Sequence, residues 1–112
     1  MNLLSPPEKG PQTLFCFRAV DGDTVDAAFL VPVRVRLFGL NAPEHNTPQG
    51  PPAQKLLESL VAGKLLDADL KGHEKYGRLL ADLLLPDGRH VTTLLLEAGL
   101  ALPWDGKGPR PV

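Results

Sequence analysis

Short segments of alternating apolar and polar residues, with only short links between neighbours, constrain the fold of this chain most strongly. Three such segments precede a first helical pattern, and two more lie between it and a second helical pattern. Period-two alternation is typical of half-buried strands, and parallel neighbours would need crossovers of a dozen or more residues. The sequence therefore predicts a small, curved, antiparallel barrel of five strands with two helices packed on it, which is the OB-type architecture.

Proline and glycine mark the ends of these predicted elements. Proline suits the first helical position, threonine the N-cap and glycine the C′ position beyond the last turn. The predicted helices run from Pro51 or Pro52 to a C′ residue at Gly63, and from Thr92 or Thr93 as N-cap to Ala98. The predicted strands are Thr13–Val20, Thr24–Phe29, Val33–Leu37, Leu65–Leu70 and Arg78–Leu85. We expect one folded domain at residues 13–102, between a flexible N-terminal tail at 1–12 and a Pro- and Gly-rich C-terminal tail at 103–112.

The charge balance limits how this chain can attract a polyanion. It has 12 basic and 13 acidic residues, so any contact with nucleic acid must come from a local cluster of cations. The single cysteine, Cys16, excludes an internal disulfide and is expected to be a small buried hydrophobe. No stretch has the pattern of a leader or the length of a membrane span. We therefore expect a cytoplasmic monomer without a membrane partner, or a secreted form if a leader has been removed.

Two short polar motifs, Asp21-Gly22-Asp23-Thr24 and Asn41-Ala42-Pro43-Glu44, lie on either side of the second and third predicted strands. Each motif alone is often only a turn or a loop. An unpaired buried charge is costly, so a cation or a polar ligand is the natural reason to gather carboxylates. Hard cations such as Ca²⁺ prefer oxygen ligands, including carboxylates, amides and backbone carbonyls. The pairing of the motifs favours a metal or ligand site.

Arginines surround the predicted site. Arg34 and Arg36 share one face of the third strand because side chains alternate along a strand. Arg78 follows a tyrosine and a glycine in Lys75-Tyr76-Gly77-Arg78. A guanidinium matches phosphate oxygens in a bidentate manner, and two of them beside a metal can hold the charge of a phosphoryl transition state. A surface ion pair is the alternative interpretation of Arg36.

These motifs, together with Gly99-Leu100-Ala101, resemble the staphylococcal nuclease (thermonuclease) family in order and nearly in spacing, over about Thr13–Leu102. The resemblance implies an OB-fold barrel and a Ca²⁺-dependent phosphodiesterase that cleaves DNA and RNA and leaves 3′-phosphate ends. The implied metal ligands are Asp23, Asn41 and the Ala42 carbonyl, with Asp21 near the ion. The implied catalytic residues are Glu44 as general base, Arg36 and Arg78. We expect Tyr76, Lys75 and Arg34 to contact the substrate.

Two positions depart from the family pattern. Asn41 stands where the family usually has aspartate, and Ala42 where it usually has threonine. Replacing a carboxylate with an amide removes one formal charge, so we predict weaker binding of Ca²⁺ or another divalent cation and weakened activity. The alternative function is a catalytically weak or inactive module of the same fold that only binds nucleic acid. Retention of Asp23, Arg36, Glu44 and Arg78 argues against that alternative, and Asn41 argues for it.

Overall fold

The computed structural model describes residues 9–29, 31–44, 46–105 and 107. Five strands form a closed barrel in the order β1-β2-β3-β6-β5, and two shorter strands, β4 and β7, form a separate antiparallel pair. The strands are β1 (Lys9–Asp21), β2 (Thr24–Phe29), β3 (Val31–Leu37), β4 (Leu40–Asn41), β5 (Lys64–His73), β6 (Leu79–Leu84) and β7 (Leu102–Pro103). The helices are α1 (Gly50–Val61) and α2 (Val91–Glu97). The predicted fold class, a five-stranded OB-type barrel with two helices, is confirmed.

The barrel closes through a parallel pair of strands, which the sequence did not predict. Val35 of β3 pairs with Leu79 of β6, and Leu37 pairs with Ala81, in parallel register. The other neighbouring strands of the barrel are antiparallel. The prediction of a wholly antiparallel barrel was wrong at this pair because α1 and β5 separate β3 from β6. That connection is long enough to return the chain in the same direction.

The first strand begins earlier than predicted. Lys9 and Gly10 pair with Lys71 and Leu70 of β5, so residues 9–12 belong to the barrel rather than to a tail. Pro11 is tolerated there because β1 pairs with β2 only from Phe15 onward, which leaves the other edge of this segment open. The remainder of the predicted N-terminal tail, residues 1–8, lies outside the described residues.

Three other strands also differ from their predicted bounds: β3 begins at Val31 rather than Val33, β5 is Lys64–His73 rather than Leu65–Leu70, and β6 is Leu79–Leu84 rather than Arg78–Leu85.

The two helices match their predicted bounds to different degrees. Helix α1 begins at Gly50, just before the predicted Pro51 or Pro52, and ends where predicted. Gly63 follows the C-cap of α1 with a φ of 74°, as expected for a C′ glycine. The N-cap of α2 is His90 rather than Thr92 or Thr93, because the Thr92 hydroxyl donates instead to the Phe38 carbonyl at 3.1 Å. At the C-terminal end, Pro103 lies in β7 opposite Leu40. Residues 106 and 108–112 of the predicted tail lie outside the described residues.

The core fills the barrel with the inward-facing side chains of alternating strand positions. Cys16 is fully buried and unpaired, as predicted, and burial raises its pKa to about 11. Helix α1 buries Ala53, Leu57 and Val61, and α2 buries Val91 and Leu95. Neither helix in the described part of the chain is long and apolar enough to cross a membrane.

Helix α1 also fixes the end of β1 that leads into the first polar motif. The ladder between β1 and β2 shifts register near Ala19, which frees backbone groups of this residue. The Glu58 side chain accepts a hydrogen bond from the Ala19 N–H, and the Gln54 amide donates to the Ala19 carbonyl at 3.1 Å. The helix therefore anchors the chain just before Asp21.

Candidate functional site

Asp23 joins the two polar motifs at the turn between β1 and β2. Its side chain is buried, and one carboxylate oxygen, Oδ2, accepts the Ala42 N–H at 2.8 Å. The same oxygen lies 3.2 Å from Nη1 of Arg36, while Oδ1 accepts the Thr24 hydroxyl at 2.9 Å. A buried carboxylate is stable only when it is paired and hydrogen-bonded, and Asp23 meets both conditions.

Gly22 permits this close approach of the motifs. A Cβ atom at position 22 would lie 2.9 Å from the Cβ of Ala42 and closer still to that of Ala53 in α1. Real Cβ atoms do not come so close to such neighbours, so the turn could not pack against α1 and the second motif with a larger residue. A glycine at this position thus brings Asp23 within bonding distance of Ala42.

Arg36 is held rigidly in the buried space next to Asp23. Its side chain is 6% exposed, and Nη1 donates to the carbonyls of Leu37 and Leu40 at 3.2 and 3.0 Å. Nη2 donates to the amide oxygen of Asn41 at 3.2 Å. The Trp104 ring lies 5.8 Å from the guanidinium carbon, within the range of a cation–π contact. The guanidinium therefore has a fixed position and is largely shielded from solvent.

A pocket of about 740 Å³ opens beside Arg36. Its lining includes the predicted catalytic residues and the two predicted substrate-binding residues of the 75–78 motif; we call it the basic pocket and define it by Arg36, Glu44, Lys75, Tyr76, Arg78 and Trp104. Glu44 is exposed, and its backbone carbonyl accepts both the N–H and the hydroxyl of Thr47 at 3.0 and 2.7 Å. The Glu44 side chain is thus presented to solvent at the pocket edge from an ordered turn.

Arg78 is held in the basic pocket by Glu74. Glu74 accepts Nη2 of Arg78 at 3.0 Å, and its other oxygen accepts the backbone N–H groups of Tyr76 and Arg78, both at 2.9 Å. The hydrogen bond to Glu74 raises the pKa of Arg78. Nε of Arg78 is buried and has no hydrogen-bond partner among the described residues. A buried donor without an acceptor costs about 1–3 kcal/mol of stability. A bound anion that accepts a hydrogen bond from Nε would recover that free energy.

The remaining predicted residues divide between the basic pocket and the surface outside it. Tyr76 is exposed, and its ring centre lies 5.0 Å from Nζ of Lys75 and 5.9 Å from the guanidinium carbon of Arg78. Arg34 does not line the basic pocket; its Nε donates to Asp26 at 2.8 Å. Asp21 ends β1 and is half-buried. The third strand therefore directs Arg36, but not Arg34, into the pocket.

Two residues contact the catalytic arginines in ways that the sequence did not predict: Glu74 had no assigned role, and Trp104 was expected to cover the barrel end or to stack on a ligand. Glu74 positions Arg78, and Trp104 covers Arg36. The only sequence signal for Glu74 is an acidic residue four positions before Arg78. Trp104 follows β7, which pairs with β4, and the backbone N–H of Trp104 donates to the Gly39 carbonyl at 3.1 Å. Such a long-range contact has no local signal.

The oxygen donors predicted for a metal fit a hard cation in kind but carry little charge. Asp23 offers a carboxylate, Asn41 an amide oxygen and Ala42 a backbone carbonyl, all of which are oxygen ligands that Ca²⁺ accepts. Arg36 already bonds to both Asp23 and Asn41. Within the part of the chain that the structure describes, no group of three or more His, Cys, Asp or Glu residues could hold a metal ion. The donor chemistry therefore suits weak binding of such a cation.

Comparisons with known proteins agree with this geometry. The family model described as staphylococcal nuclease homologue matches residues 34–108. An Escherichia coli protein named an uncharacterised endonuclease is 33% identical over 96 residues, which cover 85% of this chain and 63% of that protein. Protein ParB of Escherichia coli is 32% identical over 93 residues, or 75% of this chain and 52% of ParB. A staphylococcal-like nuclease of Arabidopsis thaliana is 35% identical over 68 residues, or 61% of this chain and 21% of that protein. The chain thus spans less than two thirds of the length of these relatives.

Proposed function

The chain belongs to the staphylococcal nuclease family, and from this premise we propose that it is a metal-dependent endonuclease that hydrolyses phosphodiester bonds in DNA and RNA. One observation supports this function more than any other. Arg36, Arg78 and Glu44 line the same pocket, where Glu44 stands apart from Glu74 because Glu74 is already bonded to Arg78. Two cations suit a phosphodiester anion, and a carboxylate beside them suits a base that activates water.

The two arginines bind the scissile phosphate. Arg36 is fixed by Asp23 and by backbone carbonyls, so it needs little reorganisation when a phosphate arrives. Nε of Arg78 is a buried donor without a partner in the described structure, and a phosphate oxygen supplies the missing acceptor. Both guanidiniums then stabilise the extra negative charge that develops on the phosphoryl oxygens in the transition state.

Glu44 is the general base. Its carboxylate takes a proton from a water molecule, and the water oxygen attacks phosphorus in line with the bond to be broken. The bond between phosphorus and the 5′-oxygen of the next nucleotide breaks, and this oxygen takes up a proton from solvent water. The products are a 3′-phosphate end and a 5′-hydroxyl end. Tyr76 and Lys75 line the same pocket, where an exposed aromatic ring suits stacking with a base and an ammonium suits a neighbouring phosphate.

The proposed cation is Ca²⁺ or another hard divalent ion, with Asp23, Asn41 and the Ala42 carbonyl as its ligands and Asp21 nearby. When bound, it would supply positive charge and lower the pKa of a coordinated water. Because Asn41 is neutral, we propose that affinity and activity are lower than an aspartate at this position would support. Asn41→Asp is therefore expected to tighten Ca²⁺ binding on the order of tenfold in isothermal titration calorimetry.

The decisive experiment compares the parent protein with Glu44→Gln on denatured DNA and on RNA, each with Ca²⁺ and with a chelator. Loss of a general base lowers rates by about 10²–10⁴-fold. Glu44 is exposed, so this variant should unfold at the same urea concentration as the parent. Equal digestion by both proteins would show that Glu44 is not the base.

A nucleic-acid-binding module without catalysis is the second candidate function. The neutral amide of Asn41, which already accepts a hydrogen bond from Arg36, favours it. The same assay separates the two functions. Metal-dependent cutting supports the enzyme, whereas tight binding of a strand that is never cut supports the module.

A further inference from the structure

Two phenylalanines lie exposed on the outer surface of β1, away from the core. Phe15 is 37% exposed and Phe17 is 49% exposed. Their ring centres are 5.1 Å apart with an angle of 72° between the planes, which is an edge-to-face contact. Because both side chains lie outside the core, core packing does not explain them. Exposed apolar patches of this kind often mark binding surfaces.

Two arginines line the same hollow as Phe17. Arg18, Asp26 and Arg34 form one row across β1, β2 and β3, in which Arg18 pairs with Asp26 and Asp26 with Arg34. Asp26 accepts Nε of Arg34 at 2.8 Å and Nε of Arg18 at 3.1 Å. Two positive charges against one negative charge leave the row with one net positive charge. Both arginines remain largely exposed, at 60% for the Arg18 side chain and 49% for that of Arg34.

Phe17 and the two arginines share a shallow hollow, and Phe15 packs against Phe17 without lining that hollow. It has a volume of about 490 Å³, and its lining includes Phe17, Arg18, Pro32 and Arg34. Asp26 holds both guanidiniums at this hollow, so they are oriented before any ligand arrives. The hollow thus presents an aromatic ring and two oriented cations to the same ligand.

The hollow is close to the basic pocket. Arg34 and Arg36 are separated by one residue on β3 and project from the same side of the strand. The pKa of Arg78 is raised chiefly by its hydrogen bond to Glu74, and the charge of Arg34 acts in the opposite direction. Arg34 is therefore within electrostatic reach of Arg78, and a strand that leaves the basic pocket can pass over it.

We propose that Phe15, Phe17, Arg18 and Arg34, here called the aromatic face, bind the part of a single-stranded nucleic acid that lies outside the basic pocket. This inference rests on the nuclease function proposed above. Bases stack on aromatic rings whatever their sequence, while guanidiniums contact the backbone phosphates. A duplex keeps its bases stacked on one another, so the face selects single strands. The net positive charge also complements a polyanion and opposes pairing with a second copy of the same face.

The test measures binding, so that it does not depend on catalysis. Dye-labelled single-stranded DNA of two and of ten nucleotides is titrated by fluorescence anisotropy, with Glu44→Gln as the background that prevents cutting. Phe15→Leu with Phe17→Leu retains apolar bulk without a ring, and is expected to weaken binding of the ten-nucleotide strand by about tenfold or more. Binding of the dinucleotide should be unchanged. Phe15→Trp with Phe17→Trp should retain tight binding of the longer strand.

The charge of the aromatic face has its own readout. Arg34→Gln is expected to reduce the slope of log affinity against log salt concentration by about 0.7 for the ten-nucleotide strand, as one lost phosphate contact requires. Arg89→Gln is the matched control, because Arg89 also pairs with an aspartate, Asp87, at 2.7 Å and has a 60% exposed side chain. Arg89 lies outside the basic pocket and the aromatic face. The salt dependence of binding by the Arg89→Gln variant should therefore equal that of the background protein.

Three outcomes would overturn the inference. The variant with Phe15→Leu and Phe17→Leu, here called the leucine pair, could bind the ten-nucleotide strand as tightly as the Glu44→Gln background does. Alternatively, the background protein could bind that strand no more tightly than the dinucleotide. Sedimentation could instead show a dimer that only the leucine pair dissociates, which would assign the face to self-association. Cutting by the parent with unchanged binding by the leucine pair would refute the aromatic face alone. Ring-dependent binding without any cutting would refute the nuclease function alone.

Discussion

Two aspartate–arginine pairs, whose arginines both lie on β3, differ more in burial than in geometry. Asp23 with Arg36, the inner pair, is joined at 3.2 Å, and Asp26 with Arg34, the outer pair, at 2.8 Å. The side chains of the inner pair are 6% and 8% exposed, against 49% and 26% in the outer pair. Desolvation makes a buried pair costly to break, whereas an exposed pair contributes about 0–1 kcal/mol. Contact distance alone therefore says little about what such a pair does.

The difference arises from what covers each guanidinium. Arg36 lies against the Trp104 ring, and it donates to the carbonyls of Leu37 and Leu40. Arg34 is exposed to solvent, and its guanidinium donates to the carboxylate of Asp26. The inner pair is thus organised for a fixed role in the basic pocket. The outer pair orients its cations without removing them from solvent.

The largest expected effect is on stability. Asp23→Asn removes the buried carboxylate that pairs with Arg36, and should lower the free energy of unfolding by about 3–5 kcal/mol. Asp26→Asn makes the same change in the outer pair and should cost less than about 1 kcal/mol. Urea unfolding of both variants measures the difference. Equal losses in the two proteins would remove the distinction between the pairs.

The next effect is on catalysis. Arg36→Lys keeps the charge but loses the planar fork, so turnover should fall by about 10²–10³-fold, as on removal of one transition-state donor. Arg34→Lys should lower kcat/KM by less than about tenfold, and mainly on long strands. Initial rates on denatured DNA compare the two, with Arg89→Lys as a surface control. A larger loss from Arg34→Lys would reverse the proposed roles of the pairs.

A smaller effect is expected when the inner pair is made more like the outer one. Trp104→Leu removes the aromatic ring over Arg36 and opens the pair to solvent. The contact between a cation and an aromatic ring contributes about 0.5–2 kcal/mol, and the variant should lose that much stability in urea. Arg36 would then behave more like Arg34, so high salt should destabilise this variant more than the parent. An identical salt response would contradict the role of Trp104 as a cover.

The smallest effect concerns pH. Hydrogen bonding to Arg34, and less strongly to Arg18, lowers the pKa of Asp26 below its ordinary value of 3.8. A carboxylate with a lowered pKa contributes stability above its unfolded pKa and loses it as pH falls through the folded value. The stability advantage of the parent over Asp26→Asn should therefore be present at pH 6 and shrink toward pH 2, by less than about 1 kcal/mol. Urea unfolding across this range measures it; an advantage that grows with acid would contradict the assignment.

The sequence predicted the parts of the fold that depend on local pattern. Alternation located the five barrel strands, and Gly63 marked the end of α1. The parallel closure between β3 and β6 and the two-residue strands β4 and β7 arise from long-range pairing, so no local pattern indicates them. Residues 9–12 were predicted as part of a tail because of Gly10 and Pro11. They form a strand because they pair with β5 alone, and an unpaired strand edge tolerates Pro11.

The sequence predicted which residues form the candidate site better than it predicted how deeply each of them is buried. Period-two alternation put Arg34 and Arg36 on one side of β3, yet only Arg36 is buried. The Trp104 ring that lies against Arg36 comes from a position far along the chain, which no local pattern indicates. The motifs indicated which residues carry chemistry. They did not indicate that Glu74 holds Arg78, since that contact depends on how the loop closes at Gly77.

The most direct test of the central claim follows the oxygen atom of the attacking water. Denatured DNA is digested in H₂¹⁸O with Ca²⁺ present, and the new phosphate ends are analysed by mass spectrometry. If water activated at the basic pocket attacks phosphorus, each new 3′-phosphate carries one ¹⁸O, and Glu44→Gln produces almost none in the same time. Intact DNA, unlabelled phosphate ends or equal labelling by Glu44→Gln would contradict the account.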